Sequence, residues 1–333
     1  MTTSENKMDF ITTQEWSKDD LNALIDLAGD VKKNPQNYYN SLLGHSLCMF
    51  FFNPSTRTRN SMEVGMGQLG GHAVFNDPKT SWLGQNSESI KDTAAVLSRY
   101  HSAIGIRMFP NVVGWKYKNG NEQMREFSRW SRSPIINLED DMYHPCQALT
   151  DIFTMKEELG TVENKKFVLS WAYHPKPLPM SVPNSTLLIA TRFGLDVTLA
   201  CPPKFELHEE IMDIARKNSK ESGGSLQIEH KMDSAYEDAD VVYVKSWGSL
   251  EAYGFPREEK KLRLPYRKKW VCSSELMDLT NKKSIFMHCL PVRRNIVVTD
   301  DVIDGKHSIV YDQAENRLHA QKALLLKLME GKN

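Results

Sequence analysis

The chain has 333 residues, and its 42 Lys and Arg residues balance 42 Asp and Glu residues to a formal net charge of zero. Nucleic acids and anionic membrane surfaces are bound by an excess of basic residues, so neither is expected as a partner. We expect no membrane-spanning helix, because no run of about 18 apolar residues occurs, and no signal peptide, because the N-terminus lacks a basic segment followed by an apolar one. The five cysteines form no CxxC pair, which favours free thiols in a reducing cytoplasm over a zinc or redox motif.

In the first half of the chain, short apolar runs alternate with segments of helical periodicity. The apolar residues of 19–32 lie at helical spacing, and the nearly continuous apolar run 46–52 is typical of a buried parallel strand. The same patterns predict further strands at 72–75, 102–107 and 135–137, and helices at 55–69, 87–100 and 144–158.

The second half repeats this alternation. Strands are predicted at 166–171, 196–200, 226–229, 241–244 and 284–287, with helices at 184–192 and 313–329. Strands that alternate with helices predict an α/β fold with two doubly wound parallel-sheet domains. We expect the domains to span 1–150 and 151–310, with 311–333 forming a C-terminal helix that packs back on the first domain.

Three polar clusters follow predicted strands, where open α/β sheets bind their ligands. The first runs from Asn53 to Arg59 and opens a helix with three hydroxyl side chains and Arg57. Helix N-termini bind anions, and an arginine adds a charged fork of donors, so the segment predicts an anion site. No GxxxxGK pattern occurs, which excludes a nucleoside-triphosphate P-loop. The alternative is a capped helix with exposed arginines.

The second cluster is His144 with Gln147, which are three residues apart and share a helix face. Both side chains can donate to a carbonyl oxygen, as in an oxyanion hole. The alternative is a helix-capping histidine beside a solvent-exposed glutamine. Arg107 at a strand end and Arg317 in the last helix are candidates of the same kind, with salt-bridged or solvated arginines as the alternative.

The third cluster is the segment 288–291, which follows a predicted strand. Cys289 beside His288 suggests a nucleophile, although a cysteine after an apolar strand is more often simply buried. A third possibility is that backbone carbonyls held by Pro291 accept hydrogen bonds from an NH2 group.

Together these segments resemble the aspartate/ornithine carbamoyltransferase superfamily. The matching pieces are FFNPSTRTR (51–59), IGIR (104–107), HPCQALTD (144–151), HCLP (288–291) and AENR (314–317), in the family's order. The resemblance implies an enzyme that binds carbamoyl phosphate and has two domains joined by interdomain helices. The implied carbamoyl phosphate ligands are Ser55, Thr56, Arg57, Thr58, Trp82, Arg107, His144, Gln147, Cys289, Leu290 and Arg317.

The resemblance also assigns the catalytic roles. Arg107, His144 and Thr58 would polarise the carbamoyl carbonyl oxygen. Cys289 would act through its backbone carbonyl, together with Leu290, as a positioner of the carbamoyl NH2 rather than as a nucleophile. No metal or organic cofactor is implied. Trp82 resembles a tryptophan that reaches into a neighbouring subunit's site, which implies a homotrimer; the alternative is a partly exposed core tryptophan.

The acceptor is indicated by the segment VKSWG (244–248). Ornithine carbamoyltransferases have an aspartate there for the free α-amino group, whereas Lys245 would repel an ammonium and suit a carboxylate or amide oxygen. The segment and the proline-rich stretch 173–178 resemble the N-acetylornithine branch, in which that stretch forms a loop threaded by the later segment, a shallow knot. The implied acyl-ornithine ligands are Glu139, His174, Lys176, Asn184, Lys245, Trp247 and Arg293.

The acyl group stays open between acetyl and succinyl. Ser87 stands near where the acetyl branch has a glutamate and the succinyl branch a proline, Val297 stands where the acetyl branch can have a lysine, and 179–184 looks closer to the succinyl branch. We expect carbamoyl transfer to N-acetyl-L-ornithine in arginine biosynthesis. The alternatives are N-succinylornithine, then plain ornithine, then a non-enzymatic carbamoyl-phosphate-binding regulatory protein.

Overall fold

The computed structural model of the chain describes residues 7–83 and 87–329. The chain divides into two compact units, one made of residues up to 153 together with those from 315 onward, the other of 154–314. The chain passes from one unit to the other within two helices. No helix in the described ranges is both long and apolar enough to cross a membrane.

The first unit is a parallel sheet with helices. Its elements are α1 (Lys18–Lys33), β1 (Ser46–Phe51), α2 (Arg57–Gln68), β2 (His72–Asn76), α3 (Ile90–Tyr100), β3 (Ala103–Arg107), α4 (Asn119–Trp130), β4 (Ile135–Glu139) and the start of α5 (Pro145–Leu159). The strand order is β2-β1-β3-β4, all parallel. Every residue of β1, β3 and β4 is buried, as expected for strands covered on both faces.

Strand register brings polar residues to one edge of this sheet. Phe51 pairs with Arg107, and Arg107 pairs with Glu139 after a shift in register at the end of β3. The segment Asn53–Arg59 that follows β1 therefore leaves the sheet at the same edge as Arg107 and Glu139. This is the carboxyl edge, where ligands bind in open α/β sheets.

The second unit is also a parallel sheet with helices. Its elements are β5 (Lys166–Trp171), α6 (Ser181–Arg192), β6 (Asp196–Ala200), α7 (Glu209–Ser222), β7 (Ser225–Glu229), α8 (Met232–Tyr236), β8 (Val241–Lys245), α9 (Pro256–Arg263), α10 (Ser274–Met277), β9 (Ile285–Met287), α11 (Asp300–Ile303) and the start of α12 (Val310–Met329). The strand order is β7-β6-β5-β8-β9, with all neighbours parallel. The prediction of two parallel-sheet α/β units is confirmed; the knot stays a prediction.

Several element boundaries were predicted wrongly, and local chemistry explains one of them. α3 begins at Ile90 rather than at 87, because the Ser89 hydroxyl accepts a hydrogen bond from the Asp92 N–H and caps the helix there. α6 begins at Ser181 rather than 184, and α12 at Val310 rather than 313. α4 was not predicted, since its sequence NGNEQMREFSRW opens with an asparagine-glycine pair typical of turns.

Candidate active site

The loop after β1 is fixed by an asparagine. Asn53 accepts a hydrogen bond from the Phe109 N–H (2.7 Å) and donates to Asn111 Oδ1 (3.1 Å), which ties the loops after β1 and β3 together. Ser55 Oγ accepts from the Thr58 N–H (3.2 Å) at the start of α2. The first turn of α2 contains no acidic residue, so no carboxylate there offsets the positive end of the helix dipole.

The two arginines of this segment have different surroundings. The Arg59 guanidinium lies 3.7 Å from the centre of the Phe75 ring and pairs with Glu63 at 3.3 Å. These contacts give Arg59 the structural role of a helix-surface arginine. Arg57 lies two residues before Arg59 and is half-buried. It is the arginine that the sequence predicts as a phosphate ligand.

Arg317 is brought into the first unit by α12 and is 3% exposed. Its guanidinium donates to Gln147 Oε1 (2.6 Å) and to Thr58 Oγ1 (3.1 Å). Three residues that the sequence predicts as carbamoyl phosphate ligands are therefore in direct contact, although residue 317 lies far from the other two in the chain. The Gln147 amide nitrogen donates in turn to Asp151 Oδ1 (2.7 Å).

Asp151 is a residue that the sequence reasoning missed. It is fully buried, and its hydrogen bond fixes which end of the Gln147 carboxamide faces Arg317. The signal was present in the sequence, because residues four apart in α5 lie on one helix face.

The second buried arginine of this unit is Arg107, which is 7% exposed. Its guanidinium donates to Glu139 Oε2 (2.6 Å) and to the Leu138 carbonyl (3.2 Å), and it lies 4.3 Å from the centre of the Phe109 ring. His144 Nε2 lies 3.6 Å from the same Glu139 oxygen. Glu139 has a φ of 134°, a backbone conformation that side-chain-bearing residues rarely adopt, which marks a strained position at the end of β4.

Glu139 therefore has contacts that differ from its predicted role. The sequence places it among the acyl-ornithine ligands, and the structure places its carboxylate against Arg107 and His144 in the first unit. Its role toward the acceptor stays a prediction.

The electrostatics of this cluster favour an anion. Burial lowers the pKa of Arg317 below its usual range; the charge of Arg107 adds to this, and the carboxylates of Asp151 and Glu139 oppose it. The Nε atoms of Arg107 and Arg317 are buried and make no hydrogen bond to the described residues. Buried donors without acceptors are costly, and anionic oxygens would satisfy them.

In the second unit, the segment after β9 forms a tight turn. The Leu290 N–H donates to His288 Nδ1 (2.8 Å), and the His288 N–H donates to Gln313 Oε1 (3.0 Å). Leu290 has a φ of 51°, a strained value for a leucine. Cys289 is half-buried, whereas the four other cysteines are buried. These bonds fix the backbone at Cys289 and Leu290, whose carbonyls are the groups predicted to act.

The predicted acceptor ligands of the second unit include a neutral histidine. Arg293 Nε donates to His174 Nε2 (2.9 Å), so the other ring nitrogen of neutral His174 donates to the Lys176 carbonyl (2.8 Å). Burial, together with the charges of Arg293, Lys245 and Arg263 and against the hydrogen bond to the Lys176 backbone, lowers the pKa of His174 to about 4. Three cations surround this imidazole, a setting that suits a carboxylate.

The segment from Lys245 to Gly248 packs against the proline-rich stretch. Lys245 is half-buried at the end of β8 and donates to the Ser246 carbonyl (3.1 Å). The Gly248 N–H donates to the Leu178 carbonyl (3.0 Å), and a Cβ on Gly248 would lie 2.8 Å from Pro177, so only glycine fits there.

Two other predicted acceptor ligands are buried. Trp247 is 1% exposed and its indole N–H donates to the Phe205 carbonyl (2.8 Å), which gives the ring a packing role in addition to the predicted one. Asn184 lies in α6 and is also 1% exposed. The ligand roles of both residues stay predictions.

The sequence reasoning also missed a buried ion pair in α9. Arg263 and Glu259 are 3.0 Å apart and almost fully buried. Burial lowers the pKa of Arg263 and raises that of Glu259. An ion pair four residues apart in a highly charged helix is normally solvent-exposed, so the burial of this pair was not predictable from its spacing.

Trp82 lies outside these clusters, and 68% of its side chain is exposed. Its carbonyl accepts a hydrogen bond from the Ser87 N–H (3.0 Å).

Comparisons with known proteins agree on one family. The model of the aspartate/ornithine carbamoyltransferase carbamoyl-P binding domain matches residues 8–157, and that of the Asp/Orn binding domain matches 179–328. The N-acetylornithine carbamoyltransferase of Xanthomonas campestris pv. campestris is 46% identical over 96% of this chain and 97% of its own length. The ornithine carbamoyltransferase of Halalkalibacterium halodurans is 40% identical over 97% of this chain and 95% of its own length.

Solved structures are similar over almost the whole chain. Acetylornithine transcarbamylase complexed with acetylcitrulline superposes with a TM-score of 0.90 at 43% identity, covering 97% of this chain and 99% of that one. A glutamate-to-serine variant of N-acetyl-L-ornithine transcarbamylase, complexed with carbamyl phosphate and N-succinyl-L-norvaline, gives a TM-score of 0.90 at 45% identity, with 96% and 99% coverage.

Proposed function

The chain belongs to the aspartate/ornithine carbamoyltransferase family and is a carbamoyltransferase, and from this premise we propose that it transfers the carbamoyl group of carbamoyl phosphate to the δ-amine of N-acetyl-L-ornithine. The products are N-acetyl-L-citrulline and phosphate, as arginine biosynthesis requires. The relatives named N-acetylornithine carbamoyltransferase support this acceptor.

The observation that carries the donor half of the proposal is the pair of buried guanidinium groups on Arg107 and Arg317. Their Nε donors are buried and make no hydrogen bond to the described residues. Together with Arg57 and the backbone N–H groups at the start of α2, they provide both charged and neutral hydrogen-bond donors in one unit. Such a set can bind a phosphate dianion. This set argues against plain structural roles for these arginines.

The proposed reaction uses the same groups. The neutral δ-amine attacks the carbamoyl carbon, and Arg107, His144 and Thr58 stabilise the oxyanion that forms. The bond to the phosphate oxygen then breaks, and phosphate leaves with the amine proton. Cys289 and Leu290 accept hydrogen bonds from the carbamoyl NH2 through their backbone carbonyls. Positioning and electrostatics supply most of the catalytic effect.

The acceptor half rests on the cations around His174. Lys245 and Arg293 create a positive potential at that imidazole, which favours a carboxylate and disfavours a free α-ammonium; the charge of Arg263, which also acts there, is offset by Glu259 at 3.0 Å. An N-acylated ornithine presents the carboxylate without the ammonium. This reasoning favours an acylated acceptor over plain ornithine.

N-Succinylornithine is the second candidate acceptor. Ser87 stands near the position of a glutamate in the acetyl branch, and glutamate variants of N-acetyl-L-ornithine transcarbamylase, to serine among others, were solved with N-succinyl-L-norvaline. The buried Val297 stands where a lysine can occur in the acetyl branch. Both features favour a succinyl group, whereas the named relatives favour acetyl.

We also propose a homotrimer in the cytoplasm, in which Trp82 contacts a neighbouring subunit's site. The exposed indole of Trp82 supports a contact with a second copy, because association would remove it from water. Sedimentation velocity of the purified chain tests the trimer, and a monomer would contradict it.

The decisive experiment compares ornithine, N-acetylornithine and N-succinylornithine as acceptors, with carbamoyl phosphate saturating. We expect kcat/KM for N-acetylornithine to exceed that for ornithine by at least about 100-fold, since like charges in proximity cost several kcal/mol. A preference for N-succinylornithine would establish the second candidate, and Ser87→Glu should then shift the preference toward the acetyl substrate. Phosphate release that is independent of every acceptor would favour the regulatory protein.

A further inference from the structure

Outside the clusters described above, three potential metal ligands converge at the carboxyl edge of the second unit's sheet. They are a thiol, a carboxylate and an imidazole, from Cys201, Glu206 and His230, and their ligand atoms all lie within 4.8 Å of one another. No other three ligand atoms of His, Cys, Asp or Glu lie so close together within residues 7–83 and 87–329.

Strand register brings two of these ligands together. β6 and β7 are parallel neighbours whose last residues, Ala200 and Glu229, are paired. Cys201 and His230 are the next residue on each strand, and the Cys201 N–H donates to the Glu229 carbonyl (3.1 Å). Their proximity is therefore fixed by the sheet and does not depend on a flexible loop.

The third ligand is held by a turn anchored in the core. The Phe205 N–H donates to the Pro202 carbonyl (3.0 Å), and the Phe205 ring is fully buried, 4.8 Å from the Trp171 ring centre. Glu206 follows directly, and its Oε1 lies 3.6 Å from His230 Nε2. That spacing is close to the separation of two ligands on one tetrahedral zinc ion, whose bonds are about 2 Å long.

The histidine is oriented as metal-binding histidines usually are. His230 Nδ1 lies 2.8 Å from the Cys201 carbonyl oxygen, so it is the protonated nitrogen and donates to that carbonyl. This tautomer leaves the Nε2 lone pair toward Glu206. In known metal sites, a backbone carbonyl or carboxylate commonly fixes the second ring nitrogen in this way.

We propose that Cys201, Glu206 and His230 bind one zinc ion, or a divalent ion of similar softness, with a fourth position left to water or a small anion. A thiolate, a carboxylate and a neutral imidazole form a ligand set typical of zinc. Lys231 and Arg267 line an adjoining cavity of about 720 Å³, and the two negative ligands offset the repulsion that these cations exert on a metal ion. The site is distinct from the catalytic residues, and it links the loops after β6 and β7.

Access to the site is from the surface. His230 is 45% exposed and Glu206 is 33% exposed, whereas Cys201 is buried beneath them. An ion can therefore reach the two outer ligands first and then the sulfur.

The test uses the full chain, treated with a chelator under reducing conditions and titrated with Zn2+ in calorimetry and with Co2+ in absorption spectroscopy. We expect one ion per chain and a thiolate-to-cobalt charge-transfer band. His230→Ala and Glu206→Gln change exposed side chains, and each should lower Zn2+ affinity at least about tenfold, the minimum seen when even an indirect partner of a metal site is lost. Cys201→Ala should abolish the band.

Two matched controls separate this site from surface binding. His208 lies 3.7 Å from Glu210 without a cysteine, so His208→Ala should leave Zn2+ affinity unchanged. Cys289 is the other candidate thiol, because it is half-buried, and Cys289→Ser should keep the band. A band that survives Cys201→Ala, or Zn2+ affinity equal in wild type and the His230 and Glu206 variants, would overturn the proposal.

Discussion

The cationic side chains of the two units have different partners. In the first unit, Arg107 and Arg317 are each matched by a buried partner network that contains a carboxylate, Glu139 in one case and Asp151, through Gln147, in the other. In the second unit, Arg293 and Lys245 lie near the neutral imidazole of His174, which cannot offset their charges. The first arrangement holds donors in fixed positions, and the second creates an excess of positive charge.

The contrast suggests how the two substrates are recognised. A reacting phosphate and carbamoyl group need donors in fixed directions, which the buried networks provide. An unreactive carboxylate of the acceptor needs only a positive environment, and this is the role that we propose for exposed Arg293 and half-buried Lys245. Substitutions should accordingly affect kcat in the first unit and the acceptor KM in the second.

The largest effect is expected for Arg107→Ala. Loss of one oxyanion donor should lower kcat about 100- to 1,000-fold. The change also leaves the buried Glu139 without its arginine, which should reduce the free energy of unfolding by about 3–5 kcal/mol. Steady-state kinetics and denaturant unfolding measure the two effects. The double variant Arg107→Ala/Glu139→Gln should recover stability and not activity; recovery of activity would contradict the catalytic role.

The next effect is expected for Lys245→Met. Removal of one charged contact should lower kcat/KM for the N-acyl acceptor about 10- to 100-fold, mainly through KM, while carbamoyl phosphate binding stays unchanged. The variant Lys245→Asp should in addition improve the use of ornithine relative to N-acetylornithine. Equal loss for both substrates would place Lys245 outside acceptor selection.

A smaller effect is expected for Asp151→Ala, which leaves the Gln147 NH2 group without this acceptor. We expect kcat to fall about fivefold to tenfold, as for the loss of one buried hydrogen bond, with the acceptor KM unchanged. Thr150→Ala, which removes a hydroxyl that donates to the Cys146 carbonyl in the same helix, is the matched control. An unchanged kcat in Asp151→Ala would show that Gln147 does not need this partner.

The units should also respond to pH in opposite directions. Burial, and then the neighbouring Asp141, raises the pKa of Asp140 from 3.8 to about 7. Between pH 3.8 and about 7 the folded first unit therefore binds more protons than the unfolded chain, so its stability falls as pH rises. The pKa of His174 falls from 6.5 to about 4, so stability is lost as pH falls through that window.

The free energy of unfolding, measured with denaturant at pH 5 and pH 8, contains both contributions, and a variant of each residue separates them. Asp140→Asn should remove the loss of stability between these values, and His174→Gln should remove the opposing gain. Slopes unchanged by both variants would contradict the assignment of these groups.

The smallest effect is expected for Cys289→Ala. If the backbone carbonyl acts, turnover should stay within about threefold of wild type, since no side-chain hydrogen bond to the carbamoyl group is removed. A complete loss with unchanged circular dichroism would indicate a thiol nucleophile.

Much of the fold was predictable because the strands are continuous apolar runs and the motifs follow them. The residues that were not predicted have roles that depend on partners distant in the chain, or on burial that is unusual for their type. Asp151 and the Arg263–Glu259 pair read as ordinary helix-surface residues, and only burial gives them a role. Cys201 and His230 have no metal-motif spacing, because the register of β6 and β7 brings them together.

Arg317 has a consequence for synthesis of the chain. The first unit draws one of its two buried arginines, Arg317, from α12, so residues 154–314 are translated before that arginine exists. A nascent chain that has emerged only as far as the first sheet lacks the partner of Thr58 and Gln147. The proposed donor site therefore cannot be completed while the chain is still short, and the ribosome must finish the second unit before the first has all of its proposed ligand groups.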